Sequence, residues 1–172
     1  KYQLYFCEHF SVETYFRLAI PEILPEYDKV LYLDGDIIAK TNIESLYDES
    51  VDGYIAAATM DIVAMGILNG FNKEKQTYYE KRVRMKNGMY QLNGGVLLMN
   101  LAEIRRQYST AELLTYAELS HFDLCDQDVM NSLFEGQIKW IDPAWNTSVD
   151  NKDSLRGYVA TFAPVKYFKA YK

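Results

Sequence analysis

The chain has 172 residues, 49% of them apolar or aromatic, which is enough for one domain with a buried core and reads as a soluble globular protein rather than a disordered one. A formal net charge of −6 offers a polyanion no long-range attraction and argues against nucleic acid as a partner. Cys7 and Cys125 are far apart with no CxxC spacing, so both are read as reduced, and no disulfide framework is expected.

In chain order, Ser11 is placed to cap a helix along which Val12, Phe16, Ala19 and Ile20 recur at helical spacing, and Pro21 and Pro25 punctuate its end. Lys29 to Leu33 reads as a short strand of the kind buried on both faces of a parallel sheet, with Asp34 and Asp36 at its carboxyl end. A short helix is expected at Ile43 to Tyr47, and a second buried strand from Tyr54 to Thr59, ending just before Asp61. Residues Lys73 to Lys86 carry six basic and two acidic side chains and read as a solvated helix inserted beside a site. Gly95 to Met99 is a third apolar run, preceded by Asn93-Gly94 and followed by a helical pattern from Leu101. Asp126, Val129, Met130 and Leu133 mark an amphipathic helix, and Gln137 to Ile141 reads as a last strand. Strands alternating with helices indicate an α/β domain on a mostly parallel central sheet flanked by helices, with ligands beyond the carboxyl ends of its strands.

Asp34-Gly35-Asp36 is the most informative stretch. If the backbone stays extended through Gly35, the two carboxylates point to one side and can converge on one hard cation. Gly35 lets a ligand approach the backbone; Asp-Gly is equally a turn signal. Neither GxGxxG nor GxxxxGK[ST] occurs, no GxSxG elbow supports a serine triad, and His9 and His121 have no zinc spacing with the cysteines and read as surface or capping residues. A phosphatase that uses the first Asp of Asp-x-Asp as nucleophile is a rival reading, weakened by Ile37 after Asp36 and by the long segment ahead of the strand.

Four blocks then combine: Ser11-Val12-Glu13-Thr14-Tyr15-Phe16-Arg17-Leu18, Lys29-Val30-Leu31-Tyr32-Leu33-Asp34-Gly35-Asp36, Leu92-Asn93-Gly94-Gly95-Val96-Leu97-Leu98-Met99-Asn100-Leu101, and Asp126-Gln127-Asp128-Val129-Met130-Asn131. In this order they resemble glycosyltransferase family 8, the family of bacterial lipopolysaccharide galactosyl- and glucosyltransferases, with glycogenin as a relative. The resemblance covers residues 9 to about 146. It implies a GT-A fold and a retaining transfer of a hexose from a UDP-sugar donor to a glycan or lipopolysaccharide acceptor, assisted by Mn²⁺ or Mg²⁺.

By the same resemblance, Asp34 and Asp36 match the carboxylates that hold the metal, and Arg17 matches an arginine that contacts the donor sugar or its phosphate. Asp61 and Asn93 match residues that meet the sugar, with Gly94 letting the backbone pass near it. Asp126 and Gln127 match the block beneath the sugar's reactive carbon. An amide is a poor nucleophile, so front-face attack with Gln127 and Asp126 stabilising positive charge is the expected course. Without the resemblance, Arg17 reads as an exposed helix residue pairing with a carboxylate, Asp61 as a strand-end cap, Asn93-Gly94 as a turn and Asp128 as a dipole partner at a helix start.

The family also carries a nucleotide-binding strand ahead of the first block and a His-Tyr-x-Gly-x-x-Lys-Pro-Trp block near its end. Both are expected to be missing from residues 1–172. Ala163-Pro164-Val165-Lys166-Tyr167 resembles only the end of the latter, with Ala160 where the His belongs. The expectation is a single partial domain whose isolated activity is low, with a catalytically silent sugar-nucleotide or glycan-binding fragment as the alternative. No apolar run is long enough to span a bilayer and no signal peptide opens the chain, so a cytoplasmic location is expected, including the inner face of the membrane through segments outside this stretch. Fifteen tyrosines and the basic segment could offer an acceptor surface, but partly buried core tyrosines are the simpler reading.

Overall fold

The computed structural model describes residues 2–6, 11–69 and 72–147. The expectations attached to Cys7, His9 and residues 160–167 lie outside the described residues. Among the described residues four strands, β1 (Lys29–Leu33), β2 (Ala56–Met60), β3 (Leu92–Asn100) and β4 (Ile138–Trp140), form one sheet in the order β1-β3-β2-β4. β3 runs antiparallel to both β1 and β2, and among the described strands only β2 and β4 pair in parallel. The expected mostly parallel sheet is therefore corrected to a mixed one. An apolar run such as β3 satisfies a buried central strand in either direction, so its composition carries no information on polarity.

Alternation along the strands divides the core. Val30, Tyr32, Ala56, Ala58, Leu97, Met99 and Ile138 face the larger core, while Leu31, Ala57 and Leu98 face a smaller one with Val51 and Ile141. β2 is buried at every position, as its alanines allow. β1 is not buried on both faces as expected: it stands at the end of the strand order and is half-buried throughout.

The helix behind Ser11 forms, but Val12–Ala19 winds as a 3₁₀ helix before one α turn, α1 (Ile20–Ile23). Three residues per turn put Tyr15, Leu18 and Pro21 in one buried row and Thr14, Arg17 and Ile20 in the next. Phe16, counted on the apolar face at α spacing, is consequently 60% exposed. A short α2 (Glu44–Tyr47) follows β1, and α3 (Ile62–Asn69) follows β2.

The basic segment is less solvated than its charges suggest. α4 (Lys73–Thr77) passes into a π turn at Tyr78–Val83, where Tyr79 and Val83 are buried and Tyr78 is half-buried. After β3, Asn100 caps α5 (Leu101–Gln107), and a Ser109–Glu112 capping box opens α6 (Thr110–Ser120). His121 ends α6 in the left-handed region at φ 49°, exposed and beside the Tyr5 ring, in keeping with a capping residue. α7 (Cys125–Leu133) then packs across β3 with Asp126 and Asp128 buried in its first turn, and the buried Cys125 thiol donates to the Tyr5 carbonyl at 3.8 Å.

Candidate active site

Strand polarity assembles the site. Because β3 is antiparallel to β1 and β2, its N-terminal residues Asn93–Gly95 lie on the same sheet edge as Asp34 and Asp61, which follow the carboxyl ends of β1 and β2. The ladder extends one step past β1, the Asp34 N–H donating to the Gly95 carbonyl at 2.9 Å.

The backbone does not stay extended through Gly35. The Ile37 N–H donates to the Asp34 carbonyl at 3.2 Å, closing a turn over Gly35 and Asp36, so the local turn propensity of Asp-Gly prevails. Asp34 is half-buried and accepts a hydrogen bond from the Tyr32 hydroxyl at 2.8 Å. Asp36 and Gly35 are exposed, and nothing lies within 4 Å of a Cβ built at Gly35.

Arg17 is the hub. Its side chain is 9% exposed, and the guanidinium pairs through Nε with Asp126 Oδ2, donates through Nη1 to the Gly94 carbonyl, and lies 3.4 Å through Nη2 from Asp34 Oδ1. The contact with Asp126 is an ion pair without hydrogen-bond alignment. The guanidinium also stacks over the Tyr32 ring, 4.6 Å from its centroid, which supports a planar cation more strongly than it would an ammonium. Thr14, one 3₁₀ turn earlier, donates to Asp126 Oδ1. Arg17 therefore pairs with carboxylates as its local reading has it, but in a buried position rather than an exposed one.

A second network joins the amides. The Gly94 N–H donates to Gln127 Oε1 at 2.8 Å, and Gln127 Nε2 donates to Asp61 Oδ2 at 3.2 Å. The Gly95 N–H donates to Asn93 Oδ1 at 2.9 Å, while Asn93 Nδ2 faces Asp61 Oδ2 at 3.4 Å. Two successive backbone amides thus orient two side-chain amides so that both present N–H to Asp61. Asp61 Oδ1 meanwhile accepts from the Val63 and Ala64 N–H groups at the start of α3, so Asp61 caps a helix as well as joining this network.

Burial pushes the Asp61 carboxyl above the ordinary carboxylate range, opposed by these four N–H donors. It also pushes Asp126 up to about 6, with the Arg17 guanidinium and the Thr14 hydroxyl holding it from rising further. Asp128, likewise raised to about 6 by burial, is more than a dipole partner: its Oδ2 accepts from the Tyr78 hydroxyl at 2.7 Å and the Leu124 N–H at 3.0 Å. Tyr78 in turn accepts the Asp123 N–H at 2.6 Å, pinning the start of α7 to the π turn.

A family model, "Glycosyl transferase family 8", matches residues 2–164. The chain belongs to this family. Glycosyltransferase GlyF of Streptococcus pneumoniae is 31% identical over 82% of the chain and 31% of its own length. Human glycosyltransferase 8 domain-containing protein 1 is 30% identical over 77% of the chain and 42% of its own. Among solved structures, the bifunctional glycosyltransferase WbbM has a TM-score of 0.76 at 26% identity, over 94% of the chain and 30% of its own. The galactosyltransferase LgtC in complex with donor and acceptor sugar analogues has a TM-score of 0.66 at 26% identity, over 96% and 60%. The family 8 chain thus has the GT-A fold, and it spans less than half the length of these two curated relatives. Among its described residues, no helix is long and apolar enough to cross a membrane.

The donor set fits a hard divalent cation in kind but not in number. Asp34 and Asp36 supply carboxylate oxygens on one turn, yet no group of three or more His, Cys, Asp or Glu able to hold a metal occurs among the described residues. Oxygens of a diphosphate and of water would complete such a shell, the usual arrangement for Mg²⁺-type ions.

Three participants escaped the sequence reading. Thr14 shows its role only once the 3₁₀ helix faces α7, and Tyr32 only once the Arg17 guanidinium lies over its ring. Asn146, whose Nδ2 donates to Asn93 Oδ1 at 2.7 Å, lies 53 residues away from it with no motif to mark it.

Proposed function

We propose that the protein transfers a hexose from a UDP-sugar, with retention of configuration and with a divalent cation, Mn²⁺ or Mg²⁺, to a glycan acceptor such as the sugar portion of a lipopolysaccharide. The observation that carries this reading is the junction of Arg17, Asp34, Asp61, Asn93, Gly94, Asp126 and Gln127 in connected networks at one sheet edge. Donor and acceptor sugar analogues bound to LgtC, and a glutamine-to-glutamate active-site mutant of that protein, support it by similarity.

In this reading Asp34 and Asp36 would hold the cation, which when bound would supply positive charge to stabilise the UDP leaving group. Arg17, poised between Asp34 and Asp126, meets the donor phosphate or sugar. Asp61, fixed by four N–H donors, accepts from a sugar hydroxyl with its remaining capacity, and Asn93 and Gly94 line the same wall. Asp126 and Gln127 stabilise positive charge developing at the reactive carbon.

Front-face attack is favoured over a covalent intermediate. Each carboxylate oxygen of Asp126 is already engaged, one by Thr14 and one by Arg17, and the Gln127 carbonyl accepts the Gly94 N–H. A glycosyl adduct trapped on either residue would overturn this point. The proposal as a whole is tested by calorimetry of UDP-sugars with the full-length protein, with and without Mn²⁺, together with assay of UDP release. Binding of one UDP-hexose that requires Mn²⁺, with release of UDP, is the expected result. Phosphate release from a phosphomonoester instead would replace it with the phosphatase reading.

A further inference from the structure

We infer that Asn146 is a positioning residue of the donor-sugar site, acting through the amide of Asn93. The inference rests on the UDP-hexose reading above and adds to it a residue 53 positions away along the chain.

The geometry is that of a locked amide. A side-chain carbonyl oxygen has two lone pairs, and both on Asn93 are taken, one by the Gly95 N–H at 2.9 Å and one by Asn146 Nδ2 at 2.7 Å. Asn93 Nδ2 is thereby left facing Asp61 Oδ2, at 3.4 Å. In the flipped orientation the Asn93 carbonyl would face the Asp61 carboxylate, and its NH₂ would face two other donors. The weak point is the long contact to Asp61, which by itself holds the amide poorly. Asn146 and Gly95 therefore set the orientation, and Asn146 is the partner a side-chain substitution can remove.

Local structure explains how Asn146 reaches so far. β4 ends at Trp140, and Asp142 accepts the Ala144 N–H at 2.8 Å to start a single 3₁₀ turn, Pro143–Trp145. The Asn146 N–H then donates to the Pro143 carbonyl at 3.1 Å, and Thr147 Oγ1 donates to the same carbonyl at 3.1 Å. Since β4 is parallel to β2, this turn leaves the sheet on the edge where Asp61 leaves β2. The space is closely filled: a Cβ built at Gly95 would stand 3.2 Å from Asn146 Nδ2 and 3.2 Å from Asn93 Oδ1. A residue placed by the turn after β4 thus governs an amide at the start of β3.

The consequence is selective. Asn93 belongs to the wall that meets the sugar, so loss of Asn146 weakens UDP-hexose while leaving UDP itself unaffected. The test is calorimetry of UDP and of a UDP-hexose, both with Mn²⁺, on the full-length protein and its N146A, N146D, N93A and N93A/N146A variants. N146A is expected to weaken the UDP-hexose about tenfold, the scale of one lost partly buried hydrogen bond, with UDP affinity unchanged. N146D, nearly isosteric, is expected to do at least as much, because its carboxylate faces the Asn93 carbonyl. The double variant is expected to be no weaker than N93A, since the two residues act as one unit. The Asn93 side-chain amide resonances, assigned by their loss in N93A, are expected to shift in N146A without any ligand.

Additive effects of N93A and N146A, equal weakening of UDP and UDP-hexose, or unmoved Asn93 amide resonances in N146A would each overturn the inference. If the parent protein binds no UDP-sugar but the Asn93 resonances move in N146A, the functional reading fails while the locked amide stands.

Discussion

At the scale of single residues, the site combines close approach with buried charge. Gly94 illustrates the first. A Cβ there would stand 2.6 Å from Arg17 Nη1, and that guanidinium has no slack because Asp126, Asp34 and the Gly94 carbonyl hold it. G94A is therefore expected to displace Arg17 and weaken UDP-hexose binding by about tenfold or more, at a stability cost of about 1–3 kcal/mol. Calorimetry and urea unfolding measure the two effects separately, and unchanged affinity would count against Arg17 as a donor contact. Asp128 illustrates the second. Its folded pKa of about 6 lies above the ordinary carboxylate value, so the folded state binds the proton more tightly than the unfolded state does. Its contribution to stability is full below the unfolded pKa near 4 and is lost as the pH rises through about 6. Asp126 acts in the same direction. D128N is expected to flatten the stability profile between about pH 4 and 6 by on the order of 2 kcal/mol, leaving the share due to Asp126. Unfolding midpoints measured across that range decide it, and an unchanged slope would show that Asp128 does not titrate there.

At the scale of elements, departures from regular geometry aim the side chains. The 3₁₀ winding of Val12–Ala19 separates the row of Tyr15, Leu18 and Pro21 from the row of Thr14 and Arg17, so one short helix serves the core and the site together. The start of this helix was legible from Ser11, but its winding was not, because Val12, Phe16 and Ala19 fit α spacing equally well. The π turn at Tyr78–Val83 likewise brings Tyr78 to Asp128 and the Asp123 N–H, and a string of lysines and arginines gave no sign of it. Y78F removes both hydrogen bonds and leaves Asp128 short of a donor. It is expected to cost about 1–3 kcal/mol by urea unfolding. By contrast, S109A at the exposed capping box of α6 is expected to cost about 1 kcal/mol and to leave donor binding unchanged, which separates the structural elements from the site.

At the scale of the whole molecule, the strand ends and the first turn of α7 converge from 14 to 146 along the chain. Mn²⁺ together with UDP is expected to stabilise the full-length protein by about 2.7 kcal/mol at a hundredfold excess over the dissociation constant, read as a rise in melting temperature. D34N and D36N are expected to abolish that rise, and a rise that survives both would remove these carboxylates from the proposed metal site. The sequence alone determined the four described strands to within a few residues, the α/β class and the family, and it named the residues of the candidate site, because apolar runs, caps and Asp-Gly act over a few neighbouring positions. It did not determine strand direction. In a parallel sheet Asn93 and Gly94 would stand at the opposite edge from Asp34 and Asp61, and only the antiparallel pairing of β3 puts them side by side. Tertiary structure also decided the burial of Arg17 and the tie from Asn146 to Asn93, since each depends on groups that meet only after distant segments pack.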